Sequence, residues 1–196
     1  GNFMPQWYSP IEVGHFDTLL QGVQTPHDIW LIIDRTHMPP NINPYVSRQR
    51  ISRYAYELEG RWVGDYEVFR YLLPTTMRME TLDRKWVAGL RLRSMALDRQ
   101  VVTSGEAIRI NLVFTTEKQL SQNYSLYLHL IPREGQIIAS RDGQPHYGGA
   151  PTSTWLAGQP HVERRAIVIP EGTPEGEYKL VCGWYTDTGV RLAPSV

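Results

Sequence analysis

The spacing of apolar side chains changes once along this chain, at about residue 76. Upstream, Val13, Phe16, Leu20 and Val23 recur at the 3.6-residue period of a helix. They follow Ser9-Pro10-Ile11-Glu12, which reads as an N-cap, a proline at the first helical position and a capping-box glutamate. Thr25-Pro26 stops the run. Asp28 to Ile33 is a short continuous apolar stretch, the signature of a buried strand. His37 to Pro44 holds three prolines and two asparagines and predicts a loop. Tyr45 to Glu59 predicts a second helix, with Ile51, Tyr54, Ala55 and Leu58 on one face and Gly60 beyond its end. Tyr66 to Leu72 returns to a strand, ended by Pro74. The expected order of helix, strand, helix, strand makes residues 1–75 a small α/β segment, the end of a larger region.

From residue 76 to 196 the period becomes 2. Trp86 to Leu92 opens the pattern. Ile108, Ile110, Leu112 and Phe114 then alternate with Arg109, Asn111 and Thr115. Tyr124, Leu126, Leu128 and Leu130 alternate with Ser125, Tyr127 and His129, which turns His129 toward solvent or a neighbouring loop. Val162 to Ile169 and Glu177 to Tyr185 repeat the rule. Thr103-Ser104-Gly105, Arg133-Glu134-Gly135, Pro174-Glu175-Gly176 and Thr186-Asp187-Thr188-Gly189 supply turn chemistry between the runs. Short strands with no helix between them predict an antiparallel β-sandwich of immunoglobulin or jelly-roll type. The expected fold class is therefore an α/β fragment followed by an all-β domain.

One stretch interrupts the strands. Asp142 to Gly158 packs four glycines and two prolines around His146, Tyr147 and Trp155, too irregular for a helix or a long strand. It predicts a long ordered crossover. Its chemistry has two readings. In one, Asp142 and His146 bond sugar hydroxyls while Tyr147 and Trp155 offer a face to a pyranose ring. In the other, Asp142 caps a turn, Trp155 plugs the sandwich edge and the glycines permit tight bends.

Composition narrows the field of functions. Among 196 residues, 20 Lys and Arg offset 20 Asp and Glu, so no global field draws the chain to nucleic acid. The single cysteine, Cys182, excludes an intrachain disulfide and a cysteine-rich metal site. It alternates with Trp184 on an apolar face, where a thiol behaves as a small hydrophobe. No apolar run reaches the length of a membrane span, and no start resembles a signal peptide. The expectation is a soluble piece cut from something larger.

Motif chemistry is sparse. His15, His27, His37, His129, His146 and His161 form no local metal-ligand pair. No phosphate-cradling glycine loop and no nucleophile elbow are present, and no metal or cofactor is expected. Asp65 with Glu67, and Glu57 with Glu59, are the candidate paired carboxylates of a glycoside hydrolase. Asp65 equally fits a turn after Gly64, and Glu57 and Glu59 fit a solvated helix end. Arg48, Arg50 and Arg53 read as a solvated helix face, or as a contact for phosphate. Asn123-Tyr124-Ser125 is a formal glycosylation sequon.

The strand-rich series carries a resemblance. Ser104-Gly105-Glu106, Tyr127-Leu128-His129-Leu130 and Gly135-Gln136-Ile137-Ile138-Ala139 lead into Asp142, Pro145, Pro151-Thr152, Trp155 and Gly158. Pro170, Gly176-Glu177-Tyr178, Gly183-Trp184-Tyr185, Gly189 and Arg191-Leu192 complete it. This pattern resembles the extracytoplasmic β-sandwich at the C-terminal end of bacterial multi-spanning membrane proteins related to protein-mannosyltransferase-like glycosyltransferases. His27 to Ile32 and Trp62 to Tyr71 carry a looser match to the α/β region that precedes it there. In that family the catalytic acidic residues lie near the first membrane helices, a segment this chain lacks, so no catalytic residue transfers.

The resemblance implies a non-catalytic accessory domain of a membrane glycosyltransferase. It would lie outside the cytoplasm, tethered through a membrane-spanning region absent from this chain. Its implied partners are a glycan or glycosylation acceptor, with Asp142, His146, Tyr147 and Trp155 as the contact residues, and the parent's membrane domain. A purely structural or protein-interaction sandwich of a cell-surface protein is the alternative. An independent glycoside hydrolase ranks last.

Overall fold

A computed structural model describes residues 28–37 and 43–195. The helix expected over residues 9–24 lies outside the described residues. The described fold is built almost wholly of antiparallel sheet, with one short helix.

Three strands form the first sheet. They are β1 (Ile29–Asp34), β2 (Tyr56–Val63) and β3 (Tyr66–Leu72), in the order β1-β3-β2. The helix α1 (Val46–Ile51) lies between β1 and β2 in sequence. Ile51 and Ala55 pack with Ile33, Phe69 and Tyr71 on one face of this sheet.

The second predicted helix is thus corrected. It ends at Ile51, and residues 56–63 are a strand. Tyr54, Ala55 and Leu58 match helical spacing, yet tertiary partners decide the conformation beyond Ser52. The Tyr56 hydroxyl donates to Asn111 Oδ1 at 2.7 Å, and Tyr71 and Arg48 both donate to the Glu57 carboxylate. Gly60 is a strand residue, not a cap: a Cβ there would lie 2.6 Å from the Phe69 ring. The aromatic ring therefore covers the backbone where only glycine fits.

The remaining strands make two facing sheets. One has the order β11-β4-β5-β6-β9, from β4 (Glu80–Trp86), β5 (Leu90–Leu97), β6 (Ala107–Thr116), β9 (His161–Val168) and β11 (Pro194–Ser195). The other runs β10-β7-β8, from β7 (Ser125–Pro132), β8 (Ala139–Ser140) and β10 (Tyr178–Tyr185). Trp86 to Leu92, read as one strand, is instead the end of β4, a turn and the start of β5. Gly89 takes φ +91 in that turn, the left-handed conformation that favours glycine.

Alternation delivers the core. Ile108, Ile110, Leu112 and Phe114 from β6 meet Leu126, Leu128 and Leu130 from β7, with Trp184 from β10. The Phe114 and Trp184 rings meet edge to face, centroids 4.8 Å apart. The fold is an antiparallel β-sandwich following a small sheet-and-helix segment. The crossover from Asp142 to Gln159 connects β8 in one sheet to β9 in the other.

Candidate functional site

The crossover faces inward. Strand β9 explains how, because its side chains alternate between two neighbours. His161, Glu163, Arg165 and Ile167 point toward the crossover and the core, whereas Arg164 and Ala166 point toward the first sheet. Each predicted site residue meets one of these surfaces or β7.

Asp142 anchors the start of the crossover to β7. Its Oδ1 accepts the Leu128 backbone N–H at 3.1 Å, and its Oδ2 lies 3.0 Å from His129 Nε2. His129 is buried and turned to this neighbouring loop, not to solvent. The next arginine back, Arg141, crosses to both adjoining elements. It donates to the Ala166 and Glu57 carbonyls at 3.1 Å each, and also to the Leu58 carbonyl.

His146 and Tyr147 adopt left-handed backbone conformations, φ 48 and φ 54, and Gly148 follows with φ 88. For each non-glycine residue this costs on the order of 1–3 kcal/mol and persists only where the surroundings over-determine it. They do. The His146 N–H donates to Glu163 Oε2 at 3.0 Å, and its Nδ1 lies 3.2 Å from the Ser52 carbonyl. A carbonyl only accepts, so Nδ1 carries the proton. Burial pushes the His146 imidazole below its ordinary value, against the opposing pull of the Glu163 carboxylate, so the ring is neutral near pH 7.

Two guanidiniums lie against the Tyr147 ring. Arg48 stands 4.1 Å from its centroid and Arg165 stands 4.7 Å from it. Burial raises the phenol's pKa, keeping it protonated. Arg165 is fully buried, 0% exposed, and forms an ion pair with Glu163 at 2.7 Å. Its Nη2 donates to the Gln144 carbonyl at 2.9 Å. Arg48 donates twice to Glu57, at 2.7 and 2.8 Å, and its guanidinium also lies over the Phe69 ring. Arg53 donates to the Gly149 carbonyl at 3.2 Å. The expected solvated helix face of Arg48, Arg50 and Arg53 is therefore corrected at Arg48, which binds the buried Glu57, whereas Arg53 is exposed and touches the crossover only through the Gly149 carbonyl. Glu57, read as a solvated helix end, is a buried strand residue.

Trp155 stands apart from this cluster. It is 2% exposed, stacked on His161 at 4.1 Å and met edge-on by Trp184 at 5.9 Å. Its Nε1 donates to the Ala150 carbonyl at 3.0 Å, closing the loop on itself. The structure thus joins His146 to Tyr147 in one buried ionic cluster, places Asp142 on β7 and sinks Trp155 into the sandwich core. The buried ring of Trp155 presents no open face for a pyranose.

Of the cluster's main charges, Glu163 and Arg165 were not among the candidate residues, while Glu57 was weighed only as a paired carboxylate and Arg48 only as a helix-face or phosphate contact. In sequence, His161-Val162-Glu163-Arg164-Arg165 looks like a solvated strand end. Only its position opposite a glycine-rich crossover marks it, and that pairing is tertiary.

A separate cleft of about 400 Å³ lies between the first sheet and the sandwich edge. Glu59, Arg70, Arg99, Glu106 and Arg109 supply its charges. Each carboxylate has an arginine within reach, Glu106 to Arg99 at 3.6 Å and Glu59 to Arg70 at 4.0 Å. Among the described residues, no three His, Cys, Asp or Glu side chains gather as metal ligands. No helix among them is long and apolar enough to cross a membrane.

No protein-family model matches the chain, and no curated protein matches it. Among solved structures it is similar to the endonuclease/exonuclease/phosphatase from Beutenbergia cavernae DSM 12333. The identity is 13%, the alignment covers 91% of this chain and 56% of that one, and the TM-score is 0.28. The chain spans just over half of that protein's length. A likeness at that score shows neither a shared fold nor a shared activity.

Proposed function

We propose that this chain is a non-catalytic accessory module, a β-sandwich that serves a larger membrane-anchored protein of glycosyltransferase type by holding and spacing protein surfaces. The sequence pattern from Ser104 to Leu192 supports that parentage. One observation carries the non-catalytic, interaction-type reading: Asp142, His146 and Trp155 of the crossover bind internal partners, and the Tyr147 ring is buried against two guanidiniums, although its hydroxyl has no hydrogen-bond partner. Glu57 and Glu163 are each neutralised by an arginine and buried, out of reach of a substrate. Burial pushes the Cys182 thiol up to about 11, which leaves little thiolate for nucleophilic work at neutral pH.

A glycan-array screen of the intact chain beside Asp142→Asn tests this reading. The substitution keeps an acceptor for the Leu128 N–H and changes only the partner of His129. The expected result is the same array signal for both proteins. A glycan signal lost in Asp142→Asn, with unchanged melting temperature, would overturn the reading and place a sugar on the crossover.

A second reading rests on the cleft beside the first sheet. Glu59 and Glu106 accept and Arg70, Arg99 and Arg109 donate, a lining suited to the hydroxyls of a neutral polyol or sugar. An array signal that Glu106→Gln removes and Asp142→Asn retains would favour a glycan-binding accessory module with its site in the cleft.

A further inference from the structure

The cleft between the first sheet and the sandwich edge has two walls. Leu58, Glu59, Arg70 and Leu72 come from β2 and β3, and the facing wall, with Arg99, Glu106 and Arg109, comes from the sandwich. Leu58, Leu72, Ala107 and Val168 supply apolar surface between the charged groups. Its volume of about 400 Å³ is one that small-molecule sites take. The three guanidiniums are engaged by carboxylates behind them. Arg70 donates to Asp28 at 2.7 Å, and Arg109 donates to the buried carboxylate of Asp98 at 2.7 Å. Arg99 lies 3.4 Å from Asp98 and 3.6 Å from Glu106. Glu59 and Glu106 are held less firmly. Among the described residues Glu59 meets Arg70 alone, at 4.0 Å, and that guanidinium already belongs to Asp28. Glu106 accepts the Thr103 backbone N–H with Oε2 at 3.0 Å. Both side chains are open to solvent, 46% at Glu59 and 50% at Glu106.

The charge balance of the cleft is negative. A further carboxylate, Glu171, lies against Gly105 beside Glu106, where a Cβ would overlap it. Arg70, Arg99 and Arg109 therefore stand among Asp28, Glu59, Asp98, Glu106 and Glu171. Arg141 reaches the Leu58 carbonyl and brings the count to four guanidiniums among five carboxylates. Arg61, the next residue on the Glu59 face of β2, lines no part of the cleft. Asp98 is buried, so the carboxylates a ligand can reach are the loosely paired Glu59 and Glu106.

We propose that the cleft binds a sugar whose ring carries a protonated amine, seated between Glu59 and Glu106. This rests on the sugar reading of the cleft and narrows it to amino sugars. A neutral sugar would match the hydroxyl contacts and leave the negative surplus uncompensated. An ammonium brings three donors and no acceptor, and one carboxylate from each wall accepts them in charge-assisted hydrogen bonds. Donors remain for the ring hydroxyls, since Arg109 uses Nη1 on Asp98 while its Nε has no partner. Leu58, Leu72, Ala107 and Val168 meet the apolar C–H face of the ring. An acidic sugar fits the reverse way. Its carboxylate would face Glu59 and Glu106, with Arg70 and Arg109 already paired.

Titration of the full chain at pH 6 and fixed ionic strength, read by amide chemical shifts, tests this with three ligands. They are the β-1,4-linked trisaccharide of glucosamine, cellotriose with a hydroxyl in place of each amine, and Nα-acetyl-lysine amide, which has an ammonium and no sugar. The glucosamine trisaccharide is expected to bind roughly tenfold tighter than cellotriose, as one charge-assisted hydrogen bond supplies. Glu59→Gln and Glu106→Gln keep shape and an acceptor, and each is expected to remove most of that preference with the melting temperature unchanged. Equal affinity for the two trisaccharides would overturn the amino-sugar assignment and leave a sugar in the cleft. A lysine derivative that binds as tightly as the glucosamine trisaccharide would overturn it too, because the sugar would then contribute nothing. A preference that survives both variants would place the amine elsewhere and overturn it. Binding of neither trisaccharide would overturn this inference together with the sugar reading of the cleft.

Discussion

Arg48, on the short helix beside the first sheet, holds its guanidinium 4.1 Å from the ring of Tyr147 in the sandwich crossover. The same guanidinium donates two hydrogen bonds to Glu57. A loop that reads as a ligand surface is thereby turned into a joint between two sheets. Arg165, also against the Tyr147 ring, and Arg141 on the Glu57 and Leu58 carbonyls make the joint continuous.

Arg48→Ala leaves Glu57 buried beside the Tyr71 hydroxyl as its remaining partner. Removing one partner of a buried pair costs about 3–5 kcal/mol. The lower end applies here, since Arg48 is half-buried. Urea unfolding is expected to show that loss, and Arg48→Leu combined with Glu57→Leu is expected to recover most of it. Additive losses in the double variant would show that the pair is not coupled.

Gly148 carries φ +88, and a Cβ there would meet Gln144 Oε1 at an unstrained 3.5 Å. The cost of Gly148→Ala is therefore conformational, about 1–2 kcal/mol. Gly176→Ala, in open space, is the control and should stay within about 0.5 kcal/mol. Equal effects at the two positions would contradict the left-handed turn at His146 to Gly148.

His146 and His161 both have folded pKa values below the ordinary 6.5, chiefly through burial. Glu163 pulls His146 upward, while Arg53 and Arg165 push it down. A depressed imidazole binds its proton more readily in the unfolded chain. Stability is therefore full above pH 6.5 and falls as pH drops below it, by at most about 1.4 kcal/mol per pH unit per histidine. Denaturation between pH 7.5 and 5 is expected to show that slope, and His146→Gln is expected to make it shallower. A slope identical in the variant would remove His146 from the account.

Cys182 has its thiol pushed up to about 11 by burial alone. At pH 8 alkylation by iodoacetamide is expected to run roughly a hundredfold slower in the native chain than in urea, where the thiol returns to about 8.5. Equal rates would place Cys182 at an open surface.

Much of the sandwich was legible because burial there follows strict alternation. Ile108, Ile110, Leu112 and Phe114 are all buried, and Leu126, Leu128 and Leu130 face them. The crossover's span between strands was legible from its glycines and prolines. Residues 52–59 were not legible, because Ile51, Ala55 and Leu58 satisfy a helical period, while Tyr56, Glu57 and Leu58 find their partners Asn111, Tyr71 and Ala166 elsewhere in the fold. The joint itself was hidden for a similar reason. Glu163 and Arg165 alternate as solvated strand residues do, and only the fold brings His146 and Tyr147 over them. Local spacing reports which face a side chain takes, and it is silent on what covers that face.

Native-state hydrogen exchange in Tyr147→Leu tests the joint most directly, by comparing β3 amides with β6 amides. With Tyr147 in place, β3 and β6 are expected to exchange with similar protection, as one cooperative unit. In Tyr147→Leu the protection of β3 is expected to fall while that of β6 is retained. Unchanged protection of β3 in the variant would contradict the claim that the crossover clamps the first sheet to the sandwich.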